Sequence, residues 1–193
     1  MSADVGKAEG FRRQILLSGV GGQGILFLSR LLAEAAIAKG LPVLTSETHG
    51  MAQRGGVVVS HLKVGGFDSP LVRTGRADLL LVLKEENVAL HRPFLADGGF
   101  LVVNATAPPD LGPGVRVSAV DADALALSAG APQAVNLVLL GFALARIGGG
   151  GTACGFFCTA GEIREALSRR QGAGGARLSA SLSAFDLGTA RGT

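Results

Sequence analysis

The sequence predicts a Rossmann-like, three-layer α/β domain with a mostly parallel, mixed sheet and a helical C-terminal extension. Three observations predict it. A short apolar run, Gln14 to Ser18, leads directly into a glycine turn, Gly19 to Gly24 (GVGGQG). That turn opens a segment with helical periodicity, and a second strand-like run follows it. Further apolar runs of strand length then recur downstream, separated by turn residues or helix-patterned segments.

The elements follow in order. Ile25 to Lys39 reads as a helix, because Ile25, Leu28, Leu32, Ala35 and Ala36 fall on one face at spacings of three and four. Lys39-Gly40 and then Pro42 end it. Pro42 to Thr45 begins a second strand. Ser46 to Gly56 (SETHGMAQRGG) has no period and reads as a loop, and Val57 to Val64 is a strand rich in β-branched residues. The Thr45–Val57 connection is too short for a crossover helix, so this third strand is expected to run antiparallel to its neighbour. Asp78 to Leu83 is a strand covered on both faces. Glu85 to Leu95 is a helix candidate, Gly98-Gly99 a turn, Phe100 to Asn104 a strand and Val115 to Val120 a weaker one. Asp121 to Ala129 and Gln133 to Ile147 read as helices, the second entered through Pro132. Gly148 to Gly155 is a glycine-rich connector. Thr159 caps a polar helix at Gly161 to Arg170, and a modest amphipathic segment spans residues 178 to 189. The expected organisation is an α/β domain over residues 13–147, with 148–193 as an extension of that domain.

Composition narrows the function. Of 193 residues, 48% are hydrophobic and 17% charged, against about 25% charged in ordinary domains, which excludes disorder for most of the chain. The net charge is +3, but the basic residues come singly or in pairs such as Arg12-Arg13 and Arg169-Arg170, without interleaved stacking aromatics. Nucleic acid is therefore not the expected partner. The longest apolar stretch, Val135 to Ile147, is shorter than the roughly 20 residues of a membrane span, and Asn136 interrupts it. No membrane association is expected. Met1 to Arg13 lacks an apolar signal region, so the expected location is cytoplasmic. Cys154 and Cys158 read as reduced loop cysteines, and His49, His61 and His91 lack metal-ligand spacing. His61 is expected as a packed or edge residue of a strand, and His91 as a surface residue of a helix.

Two motifs carry chemistry. The glycine turn matches G-x-G-x-x-G between strand and helix. There Gly19 allows the tight turn, Gly21 a close approach to a ligand, and Gly24 close helix–strand packing. Free N–H groups at the helix start favour an anion, although the same pattern also serves as a plain βα turn. The second motif is the 46–56 loop, which crowds Glu47, His49, Gln53 and Arg54 together. His49 suits a general acid or hydrogen-bond donor, and Arg54 a bidentate grip on phosphate or carboxylate. A solvated loop is the competing reading. No Walker A lysine and no G-x-S-x-G is present.

GVGGQGI followed by SETHGMAQRGGVVVSHLKVG closely resembles the gamma-type subunits of 2-oxoacid:ferredoxin oxidoreductases. ETHGMAQRGG is most similar to the small subunits of the indolepyruvate group. DSPLV, GRADLLLV, Leu95 to Gly99, the strand ending in Asn104 and the Asn136–Gly141 helix continue the resemblance in order, over roughly residues 13 to 145. Ser181 stands where such chains often have Asn before a segment like Ala184-Phe185.

The resemblance implies a complex that oxidatively decarboxylates an arylpyruvate to an acyl-CoA, with electrons passing to ferredoxin. It implies thiamine diphosphate and iron–sulfur clusters on a large catalytic partner subunit. Two cysteines cannot ligate such clusters, and no GDG…N motif is present here. This chain would bind no cofactor alone, with coenzyme A as co-substrate of the complex. His49 and Arg54 would take the catalytic positions. Ligand contacts would fall on Gly19, Gly21, Gly22, Gln23, Gly24, Glu47, Thr48, Gln53, Gly55 and Asn104. Two other readings remain open: an NAD-linked dehydrogenase, with Glu47 on the ribose, and a purely structural partner subunit.

Overall fold

The computed structural model describes residues 11–49, 55–148, 155–172 and 175–193. Six strands form one sheet: β1 (Arg13–Val20), β2 (Val43–His49), β3 (Val57–Val64), β4 (Ala77–Val82), β5 (Leu95–Asn104) and β6 (Arg116–Val120). Their order is β2-β3-β1-β4-β5-β6. β1, β4, β5 and β6 pair in parallel, and β3 runs antiparallel to both β1 and β2. The connection after β2 is too short for a crossover helix, so β3 returns antiparallel to β2. β2 extends to His49, so Ser46 to His49 belong to a strand and not to the expected loop.

The period-two alternation of β1 divides the core. Ile15 and Leu17 face a large apolar layer with Leu79, Leu81 and Val102, while Leu16 faces the opposite layer with Leu80, Leu101 and Val103. Helices α1 (Ile25–Ala38), α3 (Ala122–Ser128), α4 (Val135–Gly148), α5 (Ala160–Gln171) and α6 (Ala176–Gly192) supply the first layer. Each buried leucine there contributes about 1.5–3 kcal/mol. The short helix α2 (Asn87–His91), a 3-10 turn over Arg92–Phe94 and the connections around Val72 and Leu111 cover the second face.

Three expectations change. The helix sought over Glu85 to Leu95 is only α2 and the 3-10 turn, because Pro93 has no N–H to continue the ladder. Gly98-Gly99 lies inside β5 as an irregularity, where the register against β4 shifts between Ala77 and Leu79. The modest segment at 178–189 is a helix of 17 residues, α6, laid along α4. Thr159 does cap α5: its Oγ1 accepts from the Glu162 N–H at 3.3 Å, and Glu162 Oε2 accepts from the Thr159 N–H at 2.7 Å.

The surface position expected for His91 is also overturned. It is buried, with Nδ1 2.9 Å from Ser18 Oγ and 3.1 Å from the Asn87 carbonyl oxygen. Asn87 Nδ2 donates to Ser18 Oγ and to the Gly19 carbonyl. His61 is buried in β3, between β1 and β2, where its Nδ1 accepts the Val72 N–H at 3.1 Å. Burial holds both imidazoles below their usual pKa, and the neighbouring His91 adds to the effect on His61.

Candidate functional site

The glycine turn stands at the carboxyl end of β1, between β1 and β4, where open α/β sheets place their ligands. Its glycines divide their tasks. Gly19 is still in the strand, and a Cβ there would lie 2.8 Å from Gln23 Oε1 and 2.9 Å from Ile25 Cδ1. Gly21 donates its N–H to the Gly56 carbonyl at 3.0 Å, so the close approach it permits is to this chain's own backbone. Gly24 ends the turn at φ +77°, in the left-handed region that favours glycine, and a Cβ there would collide with the Asn136 amide. Gly22 is exposed, with open space about it.

Gln23 closes the turn from within. Its Oε1 accepts the Val20 N–H at 2.8 Å, its own N–H donates to the Val20 carbonyl at 3.1 Å, and its Nε2 donates to the Leu83 carbonyl at 3.3 Å. The same Leu83 carbonyl accepts from Asn104 Nδ2 at 3.3 Å. Asn104 is buried; its Nδ2 also meets Asp123 Oδ2 at 2.7 Å, and its Oδ1 accepts the Ala122 N–H at the start of α3. The structure therefore joins Gln23 and Asn104 through Leu83.

The second motif meets the first at its glycine end. Gly55 has φ +108°, and Gly56 receives the bond from Gly21. At the other end His49 pairs with Val58, which pairs with Gly19, so the His49 backbone shares a row with the turn, two strands away. Gln53 and Arg54 lie outside the described residues. Glu47 and Thr48 are exposed on β2. Because β3 separates β2 from β1, Glu47 stands roughly 10 Å of sheet away from the turn. A dinucleotide site needs that acid on the strand next to the turn, and here β3 occupies the place.

An open cleft of about 730 Å³ adjoins the turn. Gly22 to Gly24 and Phe27 form one wall; Gln133 just ahead of α4, Asn136 at its start, and Gln171, Arg177 and Ser181 from α5 and α6 form the other. Its size is that of a small-molecule site. The α1 N-terminus enters it with no capping side chain, so its first N–H groups are available to an anion. Gln171 Nε2 donates to Ser181 Oγ at 3.1 Å, while Gln171 Oε1 is buried without a hydrogen-bond partner. Asn136 donates to the Gly24 carbonyl at 3.4 Å and accepts the Leu137 N–H at 2.8 Å. The sequence signalled Asn136 as one polar residue in an apolar helical run. Gln171 and Arg177 carried no such signal, since polar residues abound in those two helices.

Among the described residues, no group of three His, Cys, Asp or Glu side chains could hold a metal ion. Cys158 is buried ahead of α5, and burial drives its thiol far above the usual range, away from the reactive thiolate. Cys154 lies outside the described residues. No described helix is long and apolar enough to cross a membrane.

The model of a family described as pyruvate ferredoxin/flavodoxin oxidoreductase matches residues 14–191. This chain belongs to that family. Indolepyruvate oxidoreductase subunit IorB of Archaeoglobus fulgidus is 35% identical over 150 residues, which cover 67% of this chain and 75% of that protein. The keto/oxoacid ferredoxin oxidoreductase gamma subunit of Geobacter sulfurreducens superposes with a TM-score of 0.72 at 26% identity, covering 93% of this chain and 98% of that one. The 2-oxoglutarate:ferredoxin oxidoreductase of Magnetococcus marinus shares the fold at a TM-score of 0.77 and 24% identity. The match covers 95% of this chain but only 31% of that longer one.

Proposed function

We propose that this chain is the small subunit of a cytoplasmic indolepyruvate:ferredoxin oxidoreductase, and that it completes an active site borne mainly by a larger catalytic subunit. The likeness to IorB supports the arylpyruvate substrate. Thiamine diphosphate and iron–sulfur clusters, which supply decarboxylation and single-electron transfer, belong to the partner in this reading, since two cysteines fall short of a cluster's thiolates. The complex passes electrons to ferredoxin and the acyl group to coenzyme A.

The observation that carries the reading is the cleft beside the glycine turn. Its uncapped helix start and Arg177 suit the phosphates of coenzyme A, and the unpartnered Gln171 Oε1 suits a donor on the same ligand. Gly22 to Gly24 present backbone at the cleft, and Gly19, Gln23 and Asn104 hold its shape. In this reading Glu47, Thr48, His49, Gln53, Arg54 and Gly55 face the partner's active site. There His49 and Arg54 orient the ligand.

The test is co-expression with the large subunit, followed by an anaerobic dye-reduction assay dependent on indolepyruvate and coenzyme A. Arg177→Ala is expected to raise the KM for coenzyme A about tenfold with kcat little changed, the signature of lost ligand binding. Arg54→Ala is expected to lower turnover by a similar factor, and a loss within about twofold would remove Arg54 from the site. A second reading, a purely structural subunit, draws on the internal bonds of Gly21 and Gln23. It predicts an unchanged KM for coenzyme A in Arg177→Ala, with weaker assembly of the complex.

A further inference from the structure

At the opposite end of the sheet lies a second concavity, and its charge has one dominant sign. Arg12 precedes β1, Lys63 is near the end of β3, and Arg73 and Arg76 precede β4; together they line an open cleft of about 410 Å³. One carboxylate, Asp78, joins them, and its Oδ2 already accepts the Gln14 N–H at 2.7 Å. Phe67 lies among the cations: the Arg12 guanidinium carbon is 4.2 Å from its ring centroid and Lys63 Nζ is 5.0 Å away.

Several cations elsewhere on this surface have carboxylate partners, as in Arg164–Asp186, Arg170–Glu34 and Lys39–Glu162. Among the described residues, Arg12, Lys63, Arg73 and Arg76 form no ion pair. Lys63 is only 6% exposed. Burial, then the charges of Arg73 and Arg12, hold its amine below the usual lysine range. Gathering like charges around a part-buried amine is unfavourable, and an anion in the cleft reverses the sign. The fold does not account for the feature, since ligands of open α/β sheets occupy the carboxyl ends of the strands. This cleft is at the amino ends, roughly 23 Å along β1 from the glycine turn at 3.3 Å per residue.

We propose that this basic cleft is a second anion site, one that takes the phosphate groups of a small phosphorylated compound. Guanidinium forks match phosphoryl oxygens in pairs, with Lys63 as a point charge beneath them. The volume fits a small molecule, whereas a stable protein partner would need about 800 Å² of matching surface on each side. The site uses none of the residues assigned to the glycine-turn cleft and goes beyond the activity proposed above.

The test is calorimetric titration of the full chain, alone and with its large partner, using inorganic pyrophosphate at constant ionic strength set with chloride. A saturable binding phase that belongs to this cleft, and persists when Arg177 is replaced by Ala, is expected, with pyrophosphate tighter than orthophosphate. The exposed double variant Arg73→Gln/Arg76→Gln is expected to weaken it at least about tenfold, and Lys63→Met to do the same. Arg169→Gln, remote from the cleft, is expected to bind as the parent does. Pyrophosphate no better than chloride, or a double variant that binds like the parent, would overturn the proposal. So would a polyglutamate peptide that binds more tightly and resists displacement by pyrophosphate, which would make the cleft a protein-docking surface. Because the readout is binding, failure here leaves the coenzyme A assay untouched, and the reverse also holds.

Discussion

The two faces of the sheet are closed by different chemistry. On one face α1, α4 and α6 stack apolar side chains over Ile15, Leu17, Leu79 and Leu81, and a buried serine pair, Ser60 donating to Ser29 at 2.7 Å, ties the sheet to α1. On the other face, α2 and its flanking turns cover a sheet surface carrying Ser18 and His61, with Asn87 and His91 packed down on it. The first face is held by shape and the second by satisfied polar groups. The glycine turn emerges from the strand that both faces share, so its position depends on each.

The largest effect is expected where shape alone decides. A Cβ on Gly188 of α6 would fall on the Val138 carbonyl oxygen of α4, 2.7 Å from its carbon, and Gly141 faces α6 in the same way. Backbone, unlike a flexible side chain, cannot yield there. Gly188→Leu is expected to cost about 3 kcal/mol or more, much of a domain's stability of roughly 5–15 kcal/mol. A lowered urea midpoint or loss of soluble protein would register it. An unchanged midpoint would show that α6 is not held against α4 as described.

A smaller effect with a distinct signature is expected on the polar face. The folded state binds protons at His61 and His91 less readily than the unfolded chain, whose imidazoles titrate near 6.5. Stability must then rise with pH across the window below that value. The contribution is present above about pH 6.5 and is lost as pH falls toward the lowered folded values. The melting temperature is therefore expected to drop between about pH 7 and pH 5, and His91→Gln to flatten that slope while costing about 1–3 kcal/mol at neutral pH. A variant with the parent's slope would take His91 out of the acid response.

The same contrast explains what the sequence made legible. The β1–turn–α1 unit was readable because strand run, glycines and helical period are local signals. The reversed β3 was readable because the Thr45–Val57 connection is too short for a crossover helix. Strand order was not: that β3 comes between β2 and β1, parting Glu47 from the turn, depends on non-local pairing. The extent of α6 was hidden because its apolar period is only modest, and Gly188 and Gly192, where α4 approaches, add no side chain to it. His91 looked like a surface residue beside the exposed Arg92, and only the fold reveals Ser18 beneath it. The basic cleft left no trace as a motif, since Arg12, Lys63, Arg73 and Arg76 come from separate segments.

The smallest effect calibrates the other two, because it lies at the surface, outside both cores. Glu162 joins α5 to α1 through Lys39 Nζ at 3.0 Å, and its side chain is 33% exposed. Its slight burial alone would raise its pKa, but the Thr159 N–H and Lys39 outweigh that and hold the carboxyl below its usual range. Glu162→Gln keeps an oxygen for the Thr159 N–H and loses only the charge, so a cost of about 0.5 kcal/mol is expected near neutral pH. Its pH dependence is opposite in origin to that of His91: the carboxylate's contribution is present above its ordinary value of 4.5 and lost as pH falls through the lowered one. Salt separates the two as well. About 1 M salt shortens the screening length to about 3 Å, so the Glu162→Gln difference should shrink toward the cap's share alone, while the buried His91 effect persists. Should the two respond alike to salt, the polar face would be open to solvent, and its contrast with the apolar face would be one of degree only.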